Sequence, residues 1–165
     1  MRPITVLVAG QRETIRRACR TALAGASDVR VVAEARNAAE CLFRVRTAQP
    51  HVVVLAAPPG SRRARILLSA LSAGSRPGVL VVAAGPPATG VDALAGGARG
   101  HLHPARVRPY LARAVRTVAQ GDLWCSRALA TTIVARLTEP QARRRLVPTD
   151  TAPWSNGRRS RRPAR

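Results

Sequence analysis

Residues 52–60 read Val-Val-Val-Leu-Ala-Ala-Pro-Pro-Gly: an aliphatic run, Val52 to Leu55, passing through Ala56 and Ala57 into Pro58, Pro59 and Gly60. An unbroken apolar run closed by Pro-Pro-Gly predicts a buried parallel strand that ends in a loop. Working outward, Ile4-Thr5-Val6-Leu7-Val8 repeats the pattern and runs into Ala9, Gly10 and Gln11 ahead of a helix. In an open α/β sheet, ligands and chemistry gather beyond the carboxyl ends of the strands. At both of these ends the sequence offers Ala and Gly, so the architecture of a site is present without reactive groups.

The rest of the first 121 residues alternates in the same way. Glu13 to Ala24 sets Ile15, Cys19, Ala22 and Leu23 on one helical face, with Gly25 as the stop. Val29, Val31 and Ala33 alternate with Arg30, Val32 and Glu34, as on a strand near the sheet's edge. Asn37 and Glu40 have capping-box spacing for a helix expected to turn Leu42, Val45 and Phe43 inward and to close before Pro50. Ala64, Leu67, Leu68 and Leu71 mark a third helix, and Val79 to Ala83 a fourth strand. Val91, Leu94, Ala95 and Ala98 mark a short helix, and Gly100 to His103 a fifth strand. Tyr110, Leu111, Ala114, Val115 and Val118 then form a fifth helix that stops at Gly121. Strict alternation requires crossovers that deposit helices on both faces, so the expected fold is a doubly wound, five-stranded parallel α/β sheet.

Beyond Gly121 the pattern changes. Ser126 is placed to cap one more helix bearing Leu129, Ile133, Val134 and Leu137, after which apolar periodicity disappears. The expected organisation is a domain over residues 1–121, a connector helix over 122–137 and an Arg/Pro-rich, disordered tail over 138–165.

The chain carries 28 basic against 8 acidic residues, a formal charge of +20, and every basic residue is Arg. Eight Arg against Glu139 and Asp150 put +6 on the tail and leave +14 on residues 1–137. Such a charge points toward a polyanion, and an all-Arg, Ala/Gly/Pro-rich composition equally fits the codon bias of a GC-rich genome. Within the tail, Arg143, Arg144, Arg145, Arg158, Arg159, Arg161 and Arg162 are candidate phosphate contacts, with Trp154 available for stacking. A solvated tail with no partner is the plainer reading of the same residues.

Other motifs carry little. Cys19, Cys41 and Cys125 have neither disulfide nor zinc-site spacing and read as thiols of a reducing compartment. His101 and His103 lack a third ligand nearby and read as strand-end residues, so no metal site is expected. Val8-Ala9-Gly10 lacks the further glycines of a dinucleotide-binding turn, and Gly96-Gly97 reads as a turn rather than a phosphate cradle. No segment has the roughly 18 to 20 apolar residues of a membrane span, and the run from Ile4 to Ala9 is short for a signal peptide. A cytoplasmic protein without a cofactor or a membrane partner is expected.

Six stretches together resemble a response regulator receiver domain of the NarL/LuxR (FixJ) transcription factor type: ITVLVAGQRETIRRACRTAL (4–23), DVRVVAEARNAAECL (28–42), PHVVVLAAPPG (50–60), GVLVVAAG (78–85), GGARGHLHP (96–104) and AVRTVAQGDLWCSRALATTIVARL (114–137). The resemblance implies the flavodoxin-like strand order 2-1-3-4-5. It also implies positions for phosphorylation chemistry, and each is degenerate. The paired magnesium-holding acids fall on Ala9 and Gly10, the phosphoacceptor aspartate on Ala56, the sensing Thr or Ser on Ala83, and the Lys near His103 on Pro104. No catalytic residue remains.

The family's DNA-reading helix-turn-helix is expected soon after the connector, and Leu137-Thr138-Glu139-Pro140 resembles its opening without the apolar spacing of a helical bundle beyond. The tail is therefore expected to be either a disordered segment or the truncated or frameshifted remnant of a DNA-binding domain. The leading expectation is an atypical, phosphorylation-independent receiver, not an enzyme, that acts by contact. Its partner would be a second copy or another regulator, paired through residues 91–119. The alternatives are nonspecific nucleic-acid binding through the tail, a ligand-sensing domain with an apolar pocket beside Ala9, Ala56 and Ala83, and a decayed gene product without selected function.

Overall fold

The computed structural model describes residues 2–57, 60–74 and 77–138. Five strands, β1 (Ile4–Ala9), β2 (Val29–Ala35), β3 (Val52–Ala56), β4 (Gly78–Val82) and β5 (Gly100–Leu102), alternate with helices α1 (Glu13–Ala24), α2 (Ala38–Ala48), α3 (Arg62–Ser72), α4 (Pro87–Ala95) and α5 (Val107–Gln120). A last helix, α6 (Arg127–Thr138), follows. All strand pairs are parallel, in the order β2-β1-β3-β4-β5. The expected doubly wound sheet is thus observed.

The apolar runs form the centre of the sheet because both faces are covered. Val6, Val8, Val52, Val54, Leu80 and Val82 share one layer with Cys19 and Leu23 of α1 and Leu111 and Val115 of α5. The alternate residues Leu7, Val53, Leu55, Val79 and Val81 share the other layer with Cys41 of α2 and Leu67, Leu68 and Leu71 of α3. Period-two alternation along each strand divides the aliphatic residues between the layers.

Two expectations about this packing are corrected. Along β2, pairing steps from Val6–Val31 to Leu7–Ala33 and leaves Val32 as an extra residue. The bulge reverses the faces, so Val29 and Val31 join the α1/α5 layer while Ala33 and Ala35 join the α2/α3 layer. In α2, Cys41 rather than Leu42 or Phe43 is buried; Leu42 is 38% and Phe43 60% exposed. The cap explains this rotation. Asn37 Oδ1 accepts from Glu40 N at 2.9 Å, and Glu40 Oε2 accepts from Arg36 N at 2.9 Å, which leaves Cys41 and Val45, four residues apart, facing the sheet.

The connector is part of the same body. Trp124 O accepts from His101 N at 3.0 Å and Trp124 N donates to Arg99 O at 3.0 Å, sealing the outer edge of β5. Ser126 Oγ caps α6 by accepting from Leu129 N at 3.2 Å. Leu129, 1% exposed, then seats against Gly90 of α4, where a Cβ would lie 2.7 Å from Leu129 Cδ2. Truncating such a buried leucine costs about 2–5 kcal/mol. Val134 and Leu137, expected inward, are exposed, because α6 meets the body along a narrow line through Leu129 and Ile133. Gly121 ends α5 with φ +94°, a conformation that a side chain disfavours. Among the described residues no helix is long and apolar enough to cross a membrane. The seven candidate Arg of the tail, from Arg143 to Arg162, and Trp154 lie outside the described residues.

Candidate functional site

Ala9 ends β1 and Ala56 ends β3, both buried, and Gly10 lies beside Ala56. The loop that follows β1 is held by Arg16, a buried side chain 3% exposed. Its Nη1 donates to Gly10 O at 2.6 Å and to Gln11 O at 3.2 Å, while the guanidinium pairs with Glu13 and its Nε lies 3.5 Å from Glu34 Oε2. Arg20 also pairs with Glu34. Burying a guanidinium requires these partners, and they tie up the two carbonyls nearest the strand end.

The residues present do not fit the magnesium ion that the fold implies. A hard cation takes oxygen ligands, and Ala9, Gly10 and Ala56 have no side-chain oxygen, while the Gly10 carbonyl is engaged by Arg16. Among the described residues no three of His, Cys, Asp and Glu cluster as a metal site.

At these strand ends lies a cavity of about 500 Å³, lined by Ala9, Gly10, Leu55, Ala56 and Leu67 together with Arg36, Asn37, Ser61 and Arg63. Ala83 is not in it. It lines a neighbouring cavity of about 300 Å³ with Thr89, Asp92 and Arg65, and Leu55, Ala57, Ser61 and Ala64 border both. The single pocket expected beside Ala9, Ala56 and Ala83 is therefore two. Pro104 opens a 3-10 turn (Pro104–Arg106), capped by His103 Nδ1 accepting from Ala105 N at 3.2 Å, and borders neither cavity. A larger, open groove of about 820 Å³ runs along the free edge of β2 between mixed charges and meets the strand-end cavity at Arg36, which lines both.

His101 is half-buried, and among the described residues its Nε2 has no hydrogen-bond partner. Burial holds its pKa below the ordinary 6.5, against an opposing contribution from the Ala83 backbone. Cys19 and Cys41 are buried, and desolvation pushes each thiol up to about 11. Arg116 of α5 grips Asp28 at 2.7 Å through both Nε and Nη2, and this pairing lowers the Asp28 pKa. Sequence reasoning overlooked Arg16, Arg36 and Arg63. Arg36 directly follows β2 and Arg63 lies in the first turn of α3, positions that strand-end placement would have singled out.

No family model matches the chain, and no curated protein matches it. Solved structures do. The signal receiver domain of the response regulator NarL from Mycobacterium tuberculosis is 26% identical, covering 73% of this chain and 99% of that one, with a TM-score of 0.66. A LuxR-family two-component response regulator from Aurantimonas sp. SI85-9A1 is 20% identical, over 83% of this chain and 99% of that one, with a TM-score of 0.71. The response regulator ChrA of a heme-sensing two-component system is 24% identical, over 86% of this chain and 69% of that one, with a TM-score of 0.64. The sheet order and these neighbours define the class: the chain carries the receiver fold of two-component response regulators. Within that class, its structural neighbours are receiver domains of NarL/LuxR-type regulators.

Proposed function

We propose that the chain is an atypical, phosphorylation-independent receiver that serves cytoplasmic two-component signalling and transcription regulation through protein contact, without catalysis of its own. The contact between Gly10 and Ala56 carries this reading, since two positions where the family's acids are implied meet as backbone and methyl. Phosphoryl transfer to a receiver needs a carboxylate nucleophile and a cation site, and these residues supply neither. The partner is a second copy or another regulator, docked through residues 91–119. On that stretch α6 already lies against α4, and the connector lies against β5 with Trp124 beside Tyr110 and Arg113, so the face offered is the exposed side of α5 from Arg108, with Tyr110 and Arg113 at the rim of the connector.

The test incubates the full chain with acetyl phosphate and magnesium, followed by intact-mass measurement and light scattering after gel filtration. The expected result is an unchanged mass with an oligomer that does not respond to the donor. An aspartyl-phosphate adduct overturns the reading. A second reading, nonspecific nucleic-acid binding through the tail, is supported by the formal +20 and by the arginine runs beyond residue 138.

A further inference from the structure

We propose that the cavity at the ends of β1 and β3 binds a small organic anion, a carboxylate or phosphate carried on an apolar body, held by Arg36 and Arg63 over a methyl-lined floor. The inference goes beyond the receiver reading and stands without it.

The lining divides into two chemistries. Ala9, Leu55, Ala56 and Leu67 present only hydrocarbon, as do Ala38 and Ala64 at the helix starts. Among the described residues the charged groups of the lining are Arg36 and Arg63, and none is acidic. Among the described residues neither arginine forms a salt bridge, whereas Arg16, Arg20, Arg116 and Arg136 all do. Two arginines on the lining of one cavity, with no carboxylate among the described lining residues, leave positive potential to be met by a ligand.

Backbone groups act in the same direction. The cavity borders the starts of α2 and α3, whose caps, Asn37 Oδ1 and Ser61 Oγ, accept from Glu40 N and Ala64 N only. First-turn amides such as Ala38 N and Ala39 N have no carbonyl to accept them within the helix. The opposing backbone oxygens are withdrawn, because Arg16 holds the carbonyls of Gly10 and Gln11.

The two chemistries select one class of ligand. A cation meets two guanidiniums and no carboxylate, the side-chain oxygens being the amide and hydroxyl groups of Gln11, Asn37 and Ser61, of which the last two already cap helices, and a neutral hydrocarbon leaves both guanidiniums unmatched. A bare inorganic anion leaves the apolar floor uncovered. About 500 Å³ falls within the roughly 300–1,000 Å³ of small-molecule sites.

Isothermal titration of the full chain with octanoate, octyl phosphate, inorganic phosphate and 1-octanol tests the proposal, with amide chemical shifts locating the site. At least one of octanoate and octyl phosphate is expected to saturate, moving the amides of Ala38, Ala39 and Ala64. The tighter of the two identifies the head group as carboxylate or phosphate. Inorganic phosphate and 1-octanol should bind at least about tenfold more weakly, because each keeps only half of the contacts. The double variant Arg36→Gln/Arg63→Gln, at exposed positions that leave the core intact, should lose about tenfold or more in affinity. Arg17→Gln/Arg127→Gln, at exposed positions remote from the cavity lining, removes the same charge elsewhere and should leave binding unchanged. Equal loss in both double variants, undiminished binding in the first, equal binding of 1-octanol, or no saturable binding of either amphiphile overturns the proposal.

Discussion

Gly10 and Ala56 stand so close that a Cβ on Gly10 would lie 2.9 Å from both the Cβ and the carbonyl oxygen of Ala56. The second of these contacts is with backbone, which cannot rotate away. Gly10→Ala is therefore expected to destabilise the domain by about 1–3 kcal/mol, the usual range for overpacking, and Gly10→Asp by at least as much. Urea unfolding measures both, and a neutral effect would show that the two loops part easily. The same closeness predicts that Ala56→Asp alone gains no phosphorylation by acetyl phosphate, since the acid would have neither a cation site nor partners.

Acidification should weaken the fold through His101. Its folded-state pKa lies below the ordinary 6.5, so in the interval between the two values the unfolded chain binds the extra proton. The contribution is absent above that interval, and stability falls as pH drops from about 6.5 toward the folded value. Asp28 acts in a separate and more acidic window. Its pKa is lowered from 3.8, so the stability gained from Arg116 is present above 3.8 and is lost as pH falls through the folded value. Thermal melts between about pH 7.5 and 5 should show a decline in the native chain that His101→Phe flattens. An identical slope in the variant would place the proton uptake elsewhere.

The doubly wound parallel sheet was legible because five apolar runs punctuated by Gly and Pro alternate with helices whose crossovers must cover both faces, while its strand order was supplied by the resemblance. The bulge at Val32 was not legible, since a period-two pattern carries no mark of the extra residue that reverses it. Leu42 and Phe43 were misplaced for a related reason: hydropathy ranks them above Cys41, while the Asn37 cap fixes which side of α2 meets the sheet. At the site, the lack of carboxylates at Ala9, Gly10 and Ala56 is plain from the sequence itself. The cavity is not, because Arg36 and Arg63 belong to different crossovers that only the folded sheet brings together. The seat of α6 likewise depends on Gly90 admitting Leu129, a tertiary relationship without a local signature.

Thiol chemistry should separate the three cysteines. Cys19 and Cys41 are buried, and with pKa values of about 11 only about one part in a thousand of each would be thiolate near pH 8. Cys125 is partly exposed in the connector. Under native conditions near pH 8, iodoacetamide is therefore expected to modify Cys125 first, with Cys19 and Cys41 reacting only after denaturation. Peptide mapping reads the order directly. Early modification of Cys19 would mean that α1 separates readily from the sheet it covers.

Any nucleic-acid binding should be steep in salt, weak in sequence preference and dependent on residues 138–165. Arginine runs neutralise phosphates and release counterions, whereas reading bases takes an element that enters a groove, and the tail sequence lacks the apolar spacing of a helical bundle. Each phosphate contact adds roughly 0.9 to the magnitude of the log–log salt slope on duplex DNA. Truncation after Leu137 removes +6 and leaves +14, so affinity should fall and the slope flatten while some attraction persists. Fluorescence anisotropy on two unrelated duplexes, over a salt series with full-length and truncated chains, makes the comparison. Strong discrimination between the duplexes, or a slope unmoved by truncation, would transfer the binding surface from the tail to the folded domain, which keeps +14 over residues 1–137.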